Sequence, residues 1–174
     1  MKTLLILIML VTAPAYLCSG ERQIKYRIVD MSIKVPEAHI PLFYYYDVAI
    51  NAYINNIPLW VADRLIKNET GYCNVQSRAI NKDGSRDHGI MQISSKNLVA
   101  FAKAYNDGKP INPYDTKTNI KVGLAFLGDM IEETGSLYGG VCAYNCGAQR
   151  VLKNKIPEST QKYAKRILGG IYNA

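Results

Sequence analysis

The strongest constraint on this chain is a helical spacing of apolar residues that recurs from about residue 43 to residue 168. Phe43, Tyr46, Ile50, Tyr53 and Ile54 fall three and four apart, the period of one helix face. Leu59, Ala62 and Ile66 continue the pattern after Pro58, a residue favoured at helix starts, and Gly71 supplies a stop. Ser94 or Ser95 is placed to cap a helix through Leu98, Phe101 and Tyr105. Thr118 to Glu133 carries an apolar stripe of Ile120, Leu124, Leu127 and Ile131. Gly139-Gly140 is expected to break the chain before a short helix from Val141 to Asn145, and Thr160 to Leu168 reads as the last helix. Such a succession specifies a mainly α, single compact helical domain. Strand content is expected only in the lead-in, where Ile24, Tyr26 and Ile28 alternate with polar residues, and in the loop at 74–93.

The first residues follow different rules. Lys2 precedes an unbroken apolar run from Leu4 to Val11, and small-residue cleavage candidates follow at Ala13-Pro14-Ala15 and Cys18-Ser19-Gly20. This is the pattern of an export leader, and the run is shorter than a membrane span requires. A retained anchor is the alternative. Acylation of Cys18 is disfavoured because Leu17, not a small residue, precedes it. The expected organisation is a leader at 1–20, an irregular lead-in at 21–41 containing Pro36 and Pro41, and a folded domain at 42–170.

Charge and cysteines narrow the partners. The 174 residues carry 21 Lys+Arg against 14 Asp+Glu, a net charge of +7, which suits a polyanionic partner. Lys and Arg are nowhere dense enough for a nucleic-acid patch: Gln161-Lys162-Tyr163-Ala164-Lys165-Arg166 reads as a solvated helix face, and no nucleic acid is expected. Loss of the leader would leave Cys73, Cys142 and Cys146, of which at most two can pair. No metal or other cofactor is expected, since only His39 and His88 are available to complete a ligand set.

Glu69 is the residue out of place. It continues the apolar face of Leu59, Ala62 and Ile66 at the end of its helix. Lost hydration and the negative end of the helix dipole both raise a carboxyl pKa there. A carboxylic acid still protonated near neutral pH can protonate a glycosidic oxygen. Taken alone, the position equally suits an ordinary glutamate at a helix end.

Four motifs remove that ambiguity. Glu69-Thr70-Gly71 is followed by Gly84-Ser85-Arg86-Asp87-His88-Gly89-Ile90-Met91-Gln92-Ile93, then by Asn119-Ile120 with Gly123, by Ala143-Tyr144-Asn145-Cys146-Gly147, and by Thr160-Gln161-Lys162-Tyr163. Their content and order resemble the soluble lytic transglycosylase family, and are most similar to its small secretion-associated members. The resemblance covers residues 42 to 168. Thr70 stands where the family commonly has serine, and Cys146 where it has alanine.

The resemblance implies an α+β, lysozyme-like fold with a substrate groove, export to the periplasm or cell envelope, and peptidoglycan glycan strands as partner. It implies that Glu69 protonates the bond between N-acetylmuramic acid and N-acetylglucosamine, then serves as base toward the muramic acid's own 6-hydroxyl, leaving a 1,6-anhydro end. It further implies that Ser85 and Gln92 hydrogen-bond sugar groups, that Met91 helps wall the site, that Tyr144 orients Glu69 through its hydroxyl, and that Asn145 holds backbone or substrate. Because Cys73 closely follows the catalytic helix, a bond from it to Cys142 or Cys146 is expected. A single carboxyl suffices for this reaction, whereas ordinary glycosidases need two. Asp83 and Asp87 are the nearby candidates for a second, and in a turn-rich loop both are expected to cap backbone N–H groups; if one faces Glu69, hydrolysis becomes possible. His88 is expected to be a solvent-exposed loop residue. The aromatic stretch Phe43 to Tyr46 is expected to pack in the core rather than stack on sugar. Other readings are a hydrolytic muramidase, a silent glycan-binding module, and a structural component of a secretion or conjugation apparatus.

Overall fold

The computed structural model describes residues 38–169. The leader, the lead-in up to residue 37 with its alternating Ile24, Tyr26 and Ile28, and residue 170 lie outside them. Among the described residues the order is α1 (Leu42–Ile54), α2 (Leu59–Glu69), β1 (Asp87–His88), β2 (Ile93–Ser94), α3 (Leu98–Tyr105), α4 (Thr116–Thr134), α5 (Leu137–Cys146), α6 (Ala148–Leu152) and α7 (Glu158–Leu168). A single 3-10 turn, Ser95–Asn97, leads into α3. The mainly helical expectation is met.

Local chemistry explains the boundaries. Pro41, Pro58 and Pro157 each stand immediately before a helix, with φ of −56°, −56° and −59°. Proline is preset for this place, because its missing N–H would have no intrahelical partner there. Asp115 caps α4 by accepting from the Thr118 backbone N–H at 3.2 Å, and Gly135 ends it at φ 71°. Gly71, at φ 61°, donates to the Ile66 and Lys67 carbonyls and closes α2. Ser94 and Ser95 do not cap α3: the Ser94 hydroxyl donates to Ser85 Oγ at 3.0 Å, and Ser95 Oγ accepts from the Arg86 N–H at 3.2 Å. Both serines therefore anchor the preceding loop.

The core gathers Leu65 and Ile66 of α2, Ile90 and Met91 of the loop, Ile120, Leu124 and Leu127 of α4, and Ile167 of α7, all essentially inaccessible. Each such side chain contributes roughly 1.5–3 kcal/mol on leaving water.

Three expectations are corrected here. Gly139-Gly140 does not break the chain but lies within α5, which begins at Leu137 under a Ser136 cap. A Cβ on Gly140 would stand 2.3 Å from Ile131 Cγ1 and 2.7 Å from Ile131 Cα. These glycines let α5 lie against α4, so close packing outweighs their poor helix propensity. On α1, the stripe of Phe43, Tyr46, Ile50, Tyr53 and Ile54 is exposed, while Val48 and Ala52 are buried and Tyr44 stacks on Tyr72 at 5.5 Å. Both faces of α1 are apolar, so spacing alone could not choose the inner one. The expected disulfide is also absent: Cys73 is exposed, Cys142 is buried, Cys146 is partly buried, and all three thiols are free.

Candidate active site

Glu69 is the last residue of α2 and opens onto a groove of about 540 Å³. One wall is the loop Asn81, Lys82, Asp83 and Asp87; the other is the end of α5, Ala143 to Gly147, with Arg150 of α6. Between them run Gln92 to Ser94, Lys96 and Asn97, with Phe101 of α3 and Phe126 of α4. The rings of Phe101, Phe126 and Tyr144 follow one another at 4.8 and 5.4 Å, an apolar surface suited to a pyranose face.

The loop carrying Gly89 to Ile93 is held from below. Thr70 Oγ1 donates to the Ile90 carbonyl at 2.8 Å, tying the end of the Glu69 helix to the loop. Buried Asn119 accepts from the Met91 N–H at 2.8 Å and donates to the His88 and Pro113 carbonyls at 3.2 and 3.0 Å. Gly89 sits at φ 78°, and a Cβ there would meet the Pro113 oxygen at 2.2 Å. Only glycine fits both the conformation and the space. Gln92, also left-handed at φ 51°, faces the groove while its Nε2 donates to the Gly89 carbonyl at 2.8 Å.

Burial pushes the Glu69 carboxyl up to about 7; the Tyr163 hydrogen bond and the Arg166 charge pull it down, and the Asp87 charge pushes it further up. The Tyr163 hydroxyl donates to Glu69 Oε1. At this pKa the group holds its proton for a large fraction of the time near neutrality, and it can both give and recover one.

Of the residues singled out by sequence, Glu69, Gln92, Tyr144 and Asn145 meet in the groove. Ser85 and Met91 do not reach it. Ser85 is buried: it donates to Asp83 Oδ1 at 2.6 Å and accepts from Asn81 and Ser94 at 3.0 Å each, so its hydroxyl is consumed within the loop. Met91 is fully buried against Gly123, where an added Cβ would lie 2.8 Å from it. Both support the groove from behind. Tyr144 lines the groove, but its hydroxyl donates to the Met91 carbonyl at 2.7 Å. The hydroxyl on Glu69 is that of Tyr163, in the closing Thr-x-x-Tyr motif. The same motif's Thr160 donates to Asn145 Oδ1 at 2.7 Å, so α7 braces both the acid and the groove asparagine.

The two aspartates part company. Asp83 accepts from the Ser85 N–H at 3.1 Å and pairs with Lys96, which with these bonds holds its carboxyl well below the usual range. It is the loop cap expected of it. Asp87 instead lines the groove with Glu69, steadied by Asn81 Nδ2 at 3.0 Å. His88 is partly buried, its Nδ1 2.8 Å from the Tyr114 hydroxyl, and does not line the groove. Tyr163, Phe101 and Phe126 were not among the sequence candidates; Tyr163 lay within a quoted motif, Phe101 sat on a helical stripe that signals core, and Phe126 lies off the apolar stripe of α4, where no local signal marked it.

Comparison with known proteins agrees with this fold. The 70 kDa soluble lytic transglycosylase of Escherichia coli superposes with a TM-score of 0.63 at 25% identity, covering 74% of this chain and 23% of that one. An inactive mutant of the lytic transglycosylase Slt from Pseudomonas aeruginosa has the same fold, with a TM-score of 0.58 at 16% identity over 74% of this chain and 23% of that one. The invasion protein IagB of Salmonella typhimurium and of Salmonella typhi is 33% identical over 87 residues, 50% of this chain and 51% of theirs. The chain thus spans about half the length of the curated relatives it matches. Residues 51–167 match the family described as the transglycosylase SLT domain, and the chain belongs to that family.

Proposed function

We propose that this protein is a peptidoglycan lytic transglycosylase. It cleaves the β-1,4 bond between N-acetylmuramic acid and N-acetylglucosamine and leaves a 1,6-anhydro-muramic end. The observation that carries the reading is a single groove glutamate poised near neutral pH and held by Tyr163. Glu69 gives its proton to the glucosamine 4-oxygen as the bond to the muramic C1 breaks. The carboxylate then takes the proton from the muramic 6-hydroxyl as that oxygen bonds to C1. No water is consumed, and Glu69 ends protonated as it began. Gln92, whose Nε2 donates to the Val75 and Gly89 carbonyls, offers its amide oxygen to the sugars, Asn145, whose Oδ1 accepts from Thr160, offers its amide nitrogen, and Phe101, Phe126 and Tyr144 offer ring faces.

A second reading has its own support. Asp87 stands in the groove and its charge is felt by Glu69. Two carboxyls flanking one bond are the arrangement of a glycosidase that adds water. Digestion of purified sacculi followed by mass analysis of the muropeptides separates the two. Anhydro-muramic ends support transglycosylation; reducing ends overturn it in favour of hydrolysis. Unchanged lysis by Glu69→Gln would discard Glu69 as the catalytic acid, and a parent that leaves sacculi intact would leave only a silent glycan-binding role. That substrate supports a location in the periplasm or cell envelope, and the likeness to proteins named for invasion supports work beside a secretion or conjugation apparatus. Among the described residues no helix is long and apolar enough to cross a membrane.

A further inference from the structure

The outer face of α1 is the most apolar exposed surface among the described residues. Leu42, Phe43, Tyr46, Ile50, Tyr53 and Ile54 are each between 54% and 84% exposed. At about 100° per residue they fill one continuous arc of roughly 120°. The opposite arc, Tyr44, Val48 and Ala52, packs on the rest of the domain. Asp47 and Asn51 occupy the strip between the two arcs, so α1 has two apolar faces, and the outer one is bare. None of the six residues lines the groove.

The arrangement of the six identifies what covers them. They are symmetric about position 48: Leu42 mirrors Ile54, Phe43 mirrors Tyr53, and Tyr46 mirrors Ile50. Two such helices crossed antiparallel about a two-fold axis lay the i,i+4 ridge Leu42-Tyr46-Ile50-Ile54 on its own copy, Tyr46 beside Ile50 at the centre and Leu42 beside Ile54 at the ends, with Phe43 and Tyr53 flanking it. That is the self-complementarity a two-fold interface requires. Charge permits it: α1 contains no Lys or Arg and only Asp47, off the arc, so the arc itself brings no like charges together. The area is adequate as well. Three aromatic and three aliphatic side chains at this exposure offer roughly 800–900 Å² per copy, close to the ~800 Å² per partner of a standard interface. A differently charged partner has nothing on this arc to recognise.

We propose that the protein self-associates through α1 into an antiparallel two-fold dimer, with the groove of each copy left open. The test is sedimentation equilibrium of the intact chain at tens of micromolar and moderate salt, alongside Tyr46→Glu, Ile50→Lys and the double variant. The expected result is twice the monomer mass for the parent and monomers for each single variant. The double variant returns to dimer, because residue 46 of one copy faces residue 50 of the other. Unchanged thermal melts in the single variants separate a lost interface from a lost fold. A monomeric parent overturns the proposal, as does a dimer indifferent to Tyr46→Glu. Failure of the double variant to recover overturns the antiparallel register. A monomer that binds anionic vesicles, and releases them when Tyr46 becomes Glu, overturns it in favour of a lipid surface.

Discussion

The Tyr163 hydroxyl donates its hydrogen bond to Glu69 Oε1 across 94 residues of chain. It joins the middle of α7 to the last residue of α2, and it opposes the effect of burial. Burial favours the neutral acid, while a donor on the carboxylate favours the charged form.

Removing that donor has a signed consequence. Tyr163→Phe takes away a bond that lowers the Glu69 pKa, so the pKa rises. The alkaline limb of the activity profile, where the acid loses its proton, is expected to move up by about one unit. The maximal rate is expected to fall about tenfold, since the carboxylate that must recover a proton is no longer positioned. Turbidity loss of purified sacculi across a pH series reads both. A limb that stays in place removes Tyr163 from control of the acid.

Asp87 acts in the opposite sense. Its charge raises the Glu69 pKa, so Asp87→Asn is expected to shift the alkaline limb downward. On the transglycosylase reading the variant still releases anhydro-muramic ends, because no water needs activation. Loss of all cleavage together with a parent that makes reducing ends would assign Asp87 to hydrolysis.

What the sequence made legible follows from locality. Helix spacing, proline starts and the Gly71 stop act within a few residues, and they mark most helix positions. Glu69, Gln92, Tyr144 and Asn145 lie within short contiguous motifs, so they could be named before their meeting place was known. Contacts between distant segments could not be read in this way. The link from Tyr163 to Glu69 depends on how α7 is laid against α2, and the sequence-based role fell on Tyr144 because it sits in the better-marked motif. The inner face of α1 was ambiguous because both faces are apolar. Gly139-Gly140 read as a break because propensity is local, whereas the proximity of Ile131 is not.

That proximity gives a stability prediction. Gly140→Ala would place a methyl 2.3 Å from Ile131 Cγ1 and 2.7–2.8 Å from Ile131 backbone atoms. The helices must part, at a cost of about 2–3 kcal/mol. Urea unfolding should show a lower midpoint with an unchanged slope. Adding Ile131→Ala should recover only part of the loss, because the backbone contacts remain. Full recovery would show that only the side chain opposes the methyl. Activity should fall too, since α5 carries Tyr144 and Asn145.

Glu69 itself should lower stability above neutral pH. Its carboxyl titrates near 7 in the folded protein, against a reference value of 4.5. Below pH 4.5 both folded and unfolded chains hold the proton and the group has no net effect. Between 4.5 and 7 the unfolded chain ionises first, so the folded state binds more protons and stability falls as pH rises. Above 7 the loss is complete, and the 2.5-unit difference bounds it at roughly 3–4 kcal/mol, reduced by the solvent that reaches this half-buried group. Glutamine keeps the shape and the oxygen that accepts from Tyr163 but cannot ionise. Glu69→Gln should therefore match the parent at pH 4 and melt several degrees higher at pH 8, while losing lysis. Paired melting curves at the two pH values measure this, and an equal difference at both would place the effect in packing rather than in the proton.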